Sequence, residues 1–531
     1  MAALRALGAR IVTCDAVRHA PPVRPGSRLL DRRDVVTILA LMAIGMGLRL
    51  AYYSGFGLDD DPIFRGNIAA VLDGTLTHDN VSYRLAWLLP SALSCRIFGL
   101  TELGMILPIV VTATLSIGLV YAHGKLLWDR VGALTATLLL ITFPLDFAWS
   151  TMLANDVVVS FFSGLAMLFV LRALRRAQRR ARWRTWAIAA VTLWVATQAK
   201  LSGVFVIPAI AAVCWTERGR LDASVVAFIV PATVLFLATG LAYYHFAGDP
   251  LAPVHAEMEL QGLTPAGALV HRVTAESMLE YPQWLFTGDR WGDWPFSFYP
   301  YALVLLALVG LATSSRQAVI PVLWLLAVLL CLEMNIQRVA GMWVCGFRNV
   351  RHCHVLVYPL TLALTGYLVG VRARWPRLAH AVTAALLVVG LWHSVAIASK
   401  THAAFGDMRA VCRYMRTLPP GHVLSDAQLP PTWCPFMEAA NGWTFELLSM
   451  LDVSARRVKI ATVETGYVVT GGGREPHYGC YDCIIRAAEL PQGRWSLVHE
   501  FPGPAEPTTW RPEPLRVWKT DIPEAPTPAG R

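Results

Sequence analysis

Charge is scarce in this chain: Asp, Glu, Lys and Arg together make up 15% of its 531 residues, hydrophobic side chains make up 55%, and the mean hydropathy is +0.47. So little charge cannot cover a soluble surface, and the length exceeds one ordinary helical bundle, which excludes an ordinary soluble globular protein. A phosphate-cradling loop is also missing. The triplet Gly471-Gly472-Gly473 lacks the Lys and Ser or Thr that would follow it in a nucleotide-binding loop, and nucleotide-binding readings have no support. No internal repeat is present. Cysteines are few, ten in all; the CYDC of Cys480 to Cys483 has the form of half a zinc site, but no second CxxC or HxxxH accompanies it. Disulfides or free thiols among Cys412, Cys434, Cys480 and Cys483 are the expectation.

What the chain does have is a series of apolar runs near the 17 to 25 residues that cross a bilayer. They recur over the first 400 positions, about eleven of them, beginning near residues 35, 103, 131, 152, 185, 201, 222, 299, 317, 353 and 379. The sequence therefore predicts an α-helical polytopic membrane protein. The net charge of +10 is carried by arginines in short segments between runs, the mark of cytoplasmic loops rather than of a nucleic-acid partner. These are the N-terminal segment with Arg5, Arg10, Arg18, Arg24, Arg28, Arg32 and Arg33, the loop Arg172 to Arg184, and Arg372 to Arg377. With eleven spans all three fall on one side. The N-terminus is then inside, and Asp59 to Asp61 and everything after about Lys400 are outside. The first 34 residues are basic and broken by Pro21, Pro22 and Pro25, so insertion by the first apolar run is expected rather than a cleaved leader.

Three parts are expected: a basic cytoplasmic segment over 1–34, a transmembrane catalytic domain over 35–400, and an extracytoplasmic α/β domain over 401–531 with a Pro-rich tail. The last is read from DMRAVCRYMRTL, a helical pattern, and from short runs such as HVLSD and RVKIATV punctuated by Pro and Gly. LAWLLPSALSCRIFGL, broken by Pro90 and Arg96, is expected to lie along the membrane surface rather than cross it. The loop Ala247 to Ser297 is acidic and rich in tryptophan, which suits a membrane interface. The segment Asn335 to Cys353 holds Arg338, Arg348, Arg351 and His352 on the outer side, against the positive-inside trend; an anionic ligand is one reason for cations there.

Asp59, Asp60 and Asp61 stand just after the first apolar run, and carboxylates at a membrane helix mouth are costly enough to mark chemistry or ion binding. Moving a group from a lipid phosphate to a hydroxyl needs a carboxylate to take the acceptor's proton and cations to stabilise the departing phosphate. Candidates of both kinds fall on the outer face: Asp59, Asp60, Asp61 and Asp156 as carboxylates, and Arg84, Lys200, Arg348 and Arg351 as phosphate-binding cations. His78 and Asp79 belong to the same outer segment, where loop polarity alone accounts for them.

LDDDPIFRGNIAAVLDG, YRLAWLLPSALSCRIFG, TFPLDFAWSTMLANDVVVSFF and FRNVRHCHVLVYPLTLAL together resemble the GT-C glycosyltransferases, in particular bacterial relatives of protein O-mannosyltransferases and of the transferases that put aminoarabinose on lipid A. The resemblance spans about residues 35 to 400. It aligns Asp60 with the catalytic acidic residue of that family and Asp61 with its neighbour, a shift of one promoting Asp59. Departures are Asp where Glu is frequent, Pro62 after the acidic run, and His352 where Tyr is usual. What it implies is inverting transfer from a polyprenyl-phosphate sugar to a lipid, glycan or protein hydroxyl. Asp60 acts as base, and Arg348, Arg351 and Lys200 receive the phosphate. No cofactor is expected; a divalent cation held by the aspartates is an alternative, less favoured. Rival functions are a transporter or flippase of lipid-linked sugar, which would show repeated halves, and a polysaccharide polymerase or ligase, which would not need the acidic run. Abundant Arg, Ala and Trp with few Lys suggest a GC-rich bacterial genome, which makes a bacterial inner membrane the expected home.

Overall fold

The computed structural model describes residues 29–55, 61–75, 79, 81–176, 178–217, 219, 221–260, 316–334, 336–339, 342–345, 350–404, 406–425, 434, 437, 441–448, 453–471, 485, 487–502 and 514–520. Asp59, Asp60, His78, Arg348, Cys480, Cys483 and the apolar run at 299 lie outside these residues. Among the described residues, six helical stretches are long and apolar enough to cross a membrane: Arg32–Ala51, Glu102–Leu127, Asp156–Arg175, Ala223–Ala247, His352–Arg374 and one that begins at Pro376. The runs expected at 131, 201 and 317 form the shorter apolar helices Arg130–Ile141, Leu201–Thr216 and Ala318–Glu333.

In chain order the helices of the bundle are α1 (Arg32–Ala51), α2 (Asp61–Leu72), α3 (Leu85–Phe98), α4 (Glu102–Leu127), α5 (Arg130–Ile141), α6 (Pro144–Trp149), α7 (Asp156–Arg175), α8 (Arg179–Ala199), α9 (Val206–Thr216), α10 (Val226–Ala247), α11 (Ala252–Leu260), α12 (Arg316–Glu333), α13 (Val357–Arg374) and α14 (Pro376–Ala404). A two-stranded antiparallel hairpin, β1 (Ile336–Val339) with β2 (Met342–Cys345), and the 3-10 turn Val350–Leu356 lie between α12 and α13. The sequence reading did not foresee the hairpin. α3 is 14 residues long, about 21 Å at the α-helical rise, too short for a bilayer core of about 30 Å. Trp87, Leu88, Ser91, Ala92 and Cys95 are buried on one face while Leu89, Leu93 and Ile97, four residues apart, are exposed on the other.

Local chemistry fixes where the helices start and how closely they pack. Asp31 caps α1 by accepting from the Asp34 amide at 2.8 Å, and Asp34 returns the contact to the Asp31 amide at 3.0 Å. Thr101 and Asp129 cap α4 and α5 by accepting from the amides of Gly104 and Gly132. A Cβ on Gly124 would stand 2.6 Å from the Ala133 Cα, so the hairpin of α4 and α5 closes only because residue 124 has no side chain.

The arginine-rich segments do meet at one end of the bundle. Lys125 and Arg130 lie 3.2 and 3.6 Å from buried Asp34, Arg372 pairs with Asp129 at 2.7 Å, and Arg175 donates to the carbonyl of Leu126.

After the bundle, α15 (Gly406–Met415) leads into a five-stranded mixed sheet of order β4-β3-β5-β7-β6, formed by β3 (His422–Ser425), β4 (Thr444–Leu447), β5 (Tyr467–Thr470), β6 (Trp495–Glu500) and β7 (Arg516–Thr520). The β3–β4 and β3–β5 pairs are parallel and the others antiparallel. α15 buries Met408, Val411, Cys412 and Met415, a helical stripe, and Cys412 is disulfide-bonded to Cys434. HVLSD supplies β3, whereas RVKIATV, all but its last residue Val463, lies in helix α16 (Val453–Thr462), where Arg456 and Ile460, one turn apart, are buried together. The chain is thus an α-helical membrane bundle with a small C-terminal sheet domain.

Candidate functional site

α7 and α8 are antiparallel neighbours, so the first residue of α7 and the residue just after α8 stand at the same end, opposite the arginine-rich one. There Lys200 Nζ lies 2.9 Å from Asp156 Oδ1, with side chains only 5% and 2% exposed. Lys200 is extended (φ −170°, ψ 148°), which ends α8 before a 3-10 turn, Leu201–Phe205, and holds the ammonium against the start of α7. Asn155 Nδ2 donates to the Ala199 carbonyl at 3.4 Å across the same junction. Asp156 is 1% exposed and sits behind Lys200 as its counter-ion.

Arg84, the residue before α3, is the second cation of this end, its side chain 5% exposed and its guanidinium 3.0 Å from Glu257 Oε2 on α11. Its Cζ lies 5.9 Å from the Phe64 ring centroid, a cation–π contact that fixes its direction. Asp79 explains how the loop delivers Arg84. Its carboxylate accepts from the amides of Val81 and Ser82 at 2.9 Å each and from Asn67 Nδ2 at 2.8 Å, building the turn that precedes Tyr83 and Arg84. The polarity of Asp79 is thus used by the loop itself.

A cavity of about 550 Å³ joins the two cations. Arg84, Lys200, Gln198, Tyr83, Tyr243 and Glu257 line its polar part, and Phe236, Leu237, Leu241 and Tyr244 of α10 extend it as an apolar wall. Leu237 and Leu241 are 70% and 69% exposed on a helix that the bundle barely covers, so this wall continues onto the outer, lipid-facing surface. Tyr243 donates to Gln198 Oε1 at 3.0 Å and Trp194 Nε1 donates to Thr239 at 2.8 Å, which tie α10 to α8 along the cavity. Burial, then the negative charges of Asp249 and Asp79, push the Tyr83 phenol above its ordinary pKa, so it lines the cavity as a neutral donor. At the rim, the Leu251 amide, then His255, hold Asp249 below the usual carboxylate range. A cavity with a cationic head and an apolar wall open to lipid fits an amphiphile with an anionic head group.

Of the other predicted site residues, Asp61 begins α2 and Arg351 lies in the 3-10 turn Val350–Leu356. The loop before the acidic run is anchored. The amides of Ser54 and Gly55 donate to Thr151 Oγ1 and O at 3.0 and 3.1 Å, and Arg409 of α15, 3.3 Å from Glu102, donates to the Ser54 carbonyl at 3.4 Å. Gly55 has φ +76°, and a Cβ there would collide with the Arg409–Glu102 pair, so the approach to the acidic run requires glycine.

Sequence reasoning missed a second polar cluster, in the bundle core. Arg49 of α1 is ion-paired to Asp146 of α6, and Asp146 Oδ1 is 3.2 Å from Nε2 of His354, all three fully buried. His354 Nδ1 meets Ser160 Oγ of α7 at 2.7 Å, and Arg49 also donates to the Ala113 carbonyl at 3.4 Å. The available signal was an ionisable residue inside each of three apolar stretches, which bury such groups only in partnership.

Residues 83–244, which carry Arg84, Asp156, Lys200 and most of α10, match the family model of dolichyl-phosphate-mannose-protein mannosyltransferases. No curated protein sequence matches the chain. Among solved structures, ArnT from Cupriavidus metallidurans bound to undecaprenyl phosphate aligns at a TM-score of 0.57 and 12% identity, over 92% of this chain and 98% of that one. The apo oligosaccharyltransferase of Archaeoglobus fulgidus aligns at 0.52 and 12%, over 82% and 69%. AglB of the same organism, in complex with an inhibitory peptide and a dolichol-phosphate, aligns at 0.50 and 12%, over 83% and 70%. The chain therefore has the fold of the GT-C superfamily of membrane glycosyltransferases, and it resembles ArnT and the protein O-mannosyltransferases within it.

Proposed function

We propose that the protein moves a sugar from a polyprenyl-phosphate donor to a hydroxyl acceptor at the extracytoplasmic face of a bacterial inner membrane. The observation that carries this reading is the cavity that unites Arg84 and Lys200 at its head with the apolar wall of α10. The chemistry such a site supports is displacement at the anomeric carbon with inversion. A carboxylate of the acidic run, Asp60 first and Asp59 or Asp61 otherwise, takes the acceptor's proton. The freed oxygen attacks the anomeric carbon, and the bond from that carbon to the phosphate oxygen breaks on the opposite face. The polyprenyl phosphate leaves as a monoester with one more negative charge than the donor carried. Arg84 and Lys200, with Arg348 and Arg351, stabilise that charge where it develops, which is where such contacts lower the barrier most. These cations supply the electrostatic role a metal would otherwise fill, and no cofactor is assigned.

The ligands of the solved relatives support the lipid-phosphate class: undecaprenyl phosphate on ArnT and a dolichol-phosphate on AglB. The convergence of the arginine-rich segments at one end of the bundle supports an orientation with residues 1–34 in the cytoplasm and the domain over 401–531 outside, following the 35–400 membrane domain. Purified full-length protein offered labelled sugars on a panel of polyprenyl phosphates is expected to turn over at least one of them and no nucleotide sugar. Turnover from nucleotide sugars alone, or transport without transfer, would sink the assignment.

A further inference from the structure

Each cation at the head of the cavity already has a carboxylate beside it, and the two pairs differ in kind. Lys200 and Asp156 belong to the junction of two packed helices, α7 and α8, and both are almost wholly buried. Asp156 has nowhere to go. Glu257, the partner of Arg84, stands on α11, a nine-residue helix that follows α10 through a left-handed Gly248 (φ +72°) and the short turn Asp249–Leu251. Its side chain is 17% exposed and lines the cavity itself. Glu257 accepts one guanidinium hydrogen of Arg84, so a phosphate that engages the same face meets a second anion there, and two anions on one guanidinium face repel by several kcal/mol at an effective dielectric of about 20.

We infer that Glu257 is a competing anion for Arg84, one that a lipid phosphate displaces on binding and that takes Arg84 back as the product leaves. This rests on the reading of the cavity as the lipid-phosphate site. The competition matters most for the product. The donor is a phosphodiester with one negative charge, whereas the product monoester carries up to two and binds a cationic site more tightly. A carboxylate that recaptures Arg84 shortens the stay of the product without a contact to the reacting carbon. Glu257 is thus a residue that sets affinity and release, acting through Arg84. If the Glu257–Arg84 pair is closed nine-tenths of the time, the apparent dissociation constant of any phosphate that needs Arg84 is raised about tenfold.

The test is a double-mutant cycle on the full-length protein in nanodiscs, with undecaprenyl phosphate as the probe. Wild type, Glu257→Gln, Arg84→Gln and the double variant are compared after checking that their melting temperatures agree. Glu257→Gln is expected to bind the probe about tenfold more tightly than wild type, and the same change is expected to have a much smaller effect in the Arg84→Gln background, because the guanidinium that Glu257 competes for is then gone. Unchanged or weaker binding by Glu257→Gln, with saturable binding by wild type, overturns the inference and leaves the lipid-phosphate site standing. Equal tightening in both backgrounds also overturns it, since Glu257 would then repel the probe by its charge alone. No saturable binding by any of the four proteins overturns the reading of the cavity itself.

Discussion

Replacing Asp146 with alanine is expected to destabilise the folded protein by about 3–5 kcal/mol, because it leaves the Arg49 charge buried in the bundle core with no counter-ion. Arg49, Asp146 and His354 are all fully buried, so no water relaxes around the orphaned guanidinium and no exposed rotamer offers an escape. The effect is expected to extend beyond stability. Arg49 lies ten residues before Asp59, and His354 lies three residues after Arg351, so Asp146 ties together the two chain segments that bring the acidic run and a late cation. Thermal unfolding of the detergent-solubilised variant measures the loss. The exposed pair Arg516–Glu500, 2.7 Å apart in the sheet domain, is the control, and its removal is expected to cost less than about 1 kcal/mol. Comparable small losses for both changes would mean that the buried cluster contributes little.

Lys200→Met is expected to lower sugar transfer by about 10²- to 10³-fold, the usual effect of removing one group that stabilises charge developing on the leaving oxygen. It also strands Asp156 in a buried position, so a drop in stability accompanies it. The double change Lys200→Met with Asp156→Asn separates the two effects. Removing both charges is expected to restore the melting temperature, since a neutral buried pair carries no desolvation cost of charge. Transfer is expected to stay low. Recovery of transfer in the double variant would show that Lys200 only neutralises Asp156 and has no part in receiving the phosphate.

The fold class was legible because hydropathy over 18 to 25 residues needs no tertiary information. Helices α5, α9 and α12 were read as spans since their runs are apolar, and all three belong to shorter apolar helices of the bundle. Length in sequence does not reveal where a turn or a proline cuts a run into two shorter pieces. The amphipathic α15 was readable from its 3.6-residue stripe. RVKIATV was harder, because its apolar residues alternate at Val458 and Ile460 while the buried Arg456 and Ile460 keep a helical spacing, a pattern compatible with more than one element. Four site cations were named from the sequence, and the two whose side chains the structure describes, Arg84 and Lys200, share one cavity although 116 positions separate them. Their partners were harder to foresee. Asp156 was read as a carboxylate for chemistry and stands behind Lys200, and Glu257 was noted only as part of an acidic loop. Pairing across such distances is set by helix packing, which local pattern does not encode. The Arg49–Asp146–His354 cluster went unread for the same reason.

The most direct measurement is a cryo-electron microscopy structure of the full-length protein in nanodiscs with undecaprenyl phosphate. The phosphorus is expected within about 5 Å of both the Arg84 guanidinium and the Lys200 ammonium, with the lipid chain along Leu237 and Leu241 of α10. A head group bound elsewhere, such as against the arginine-rich end near Arg372 to Arg377, would contradict it.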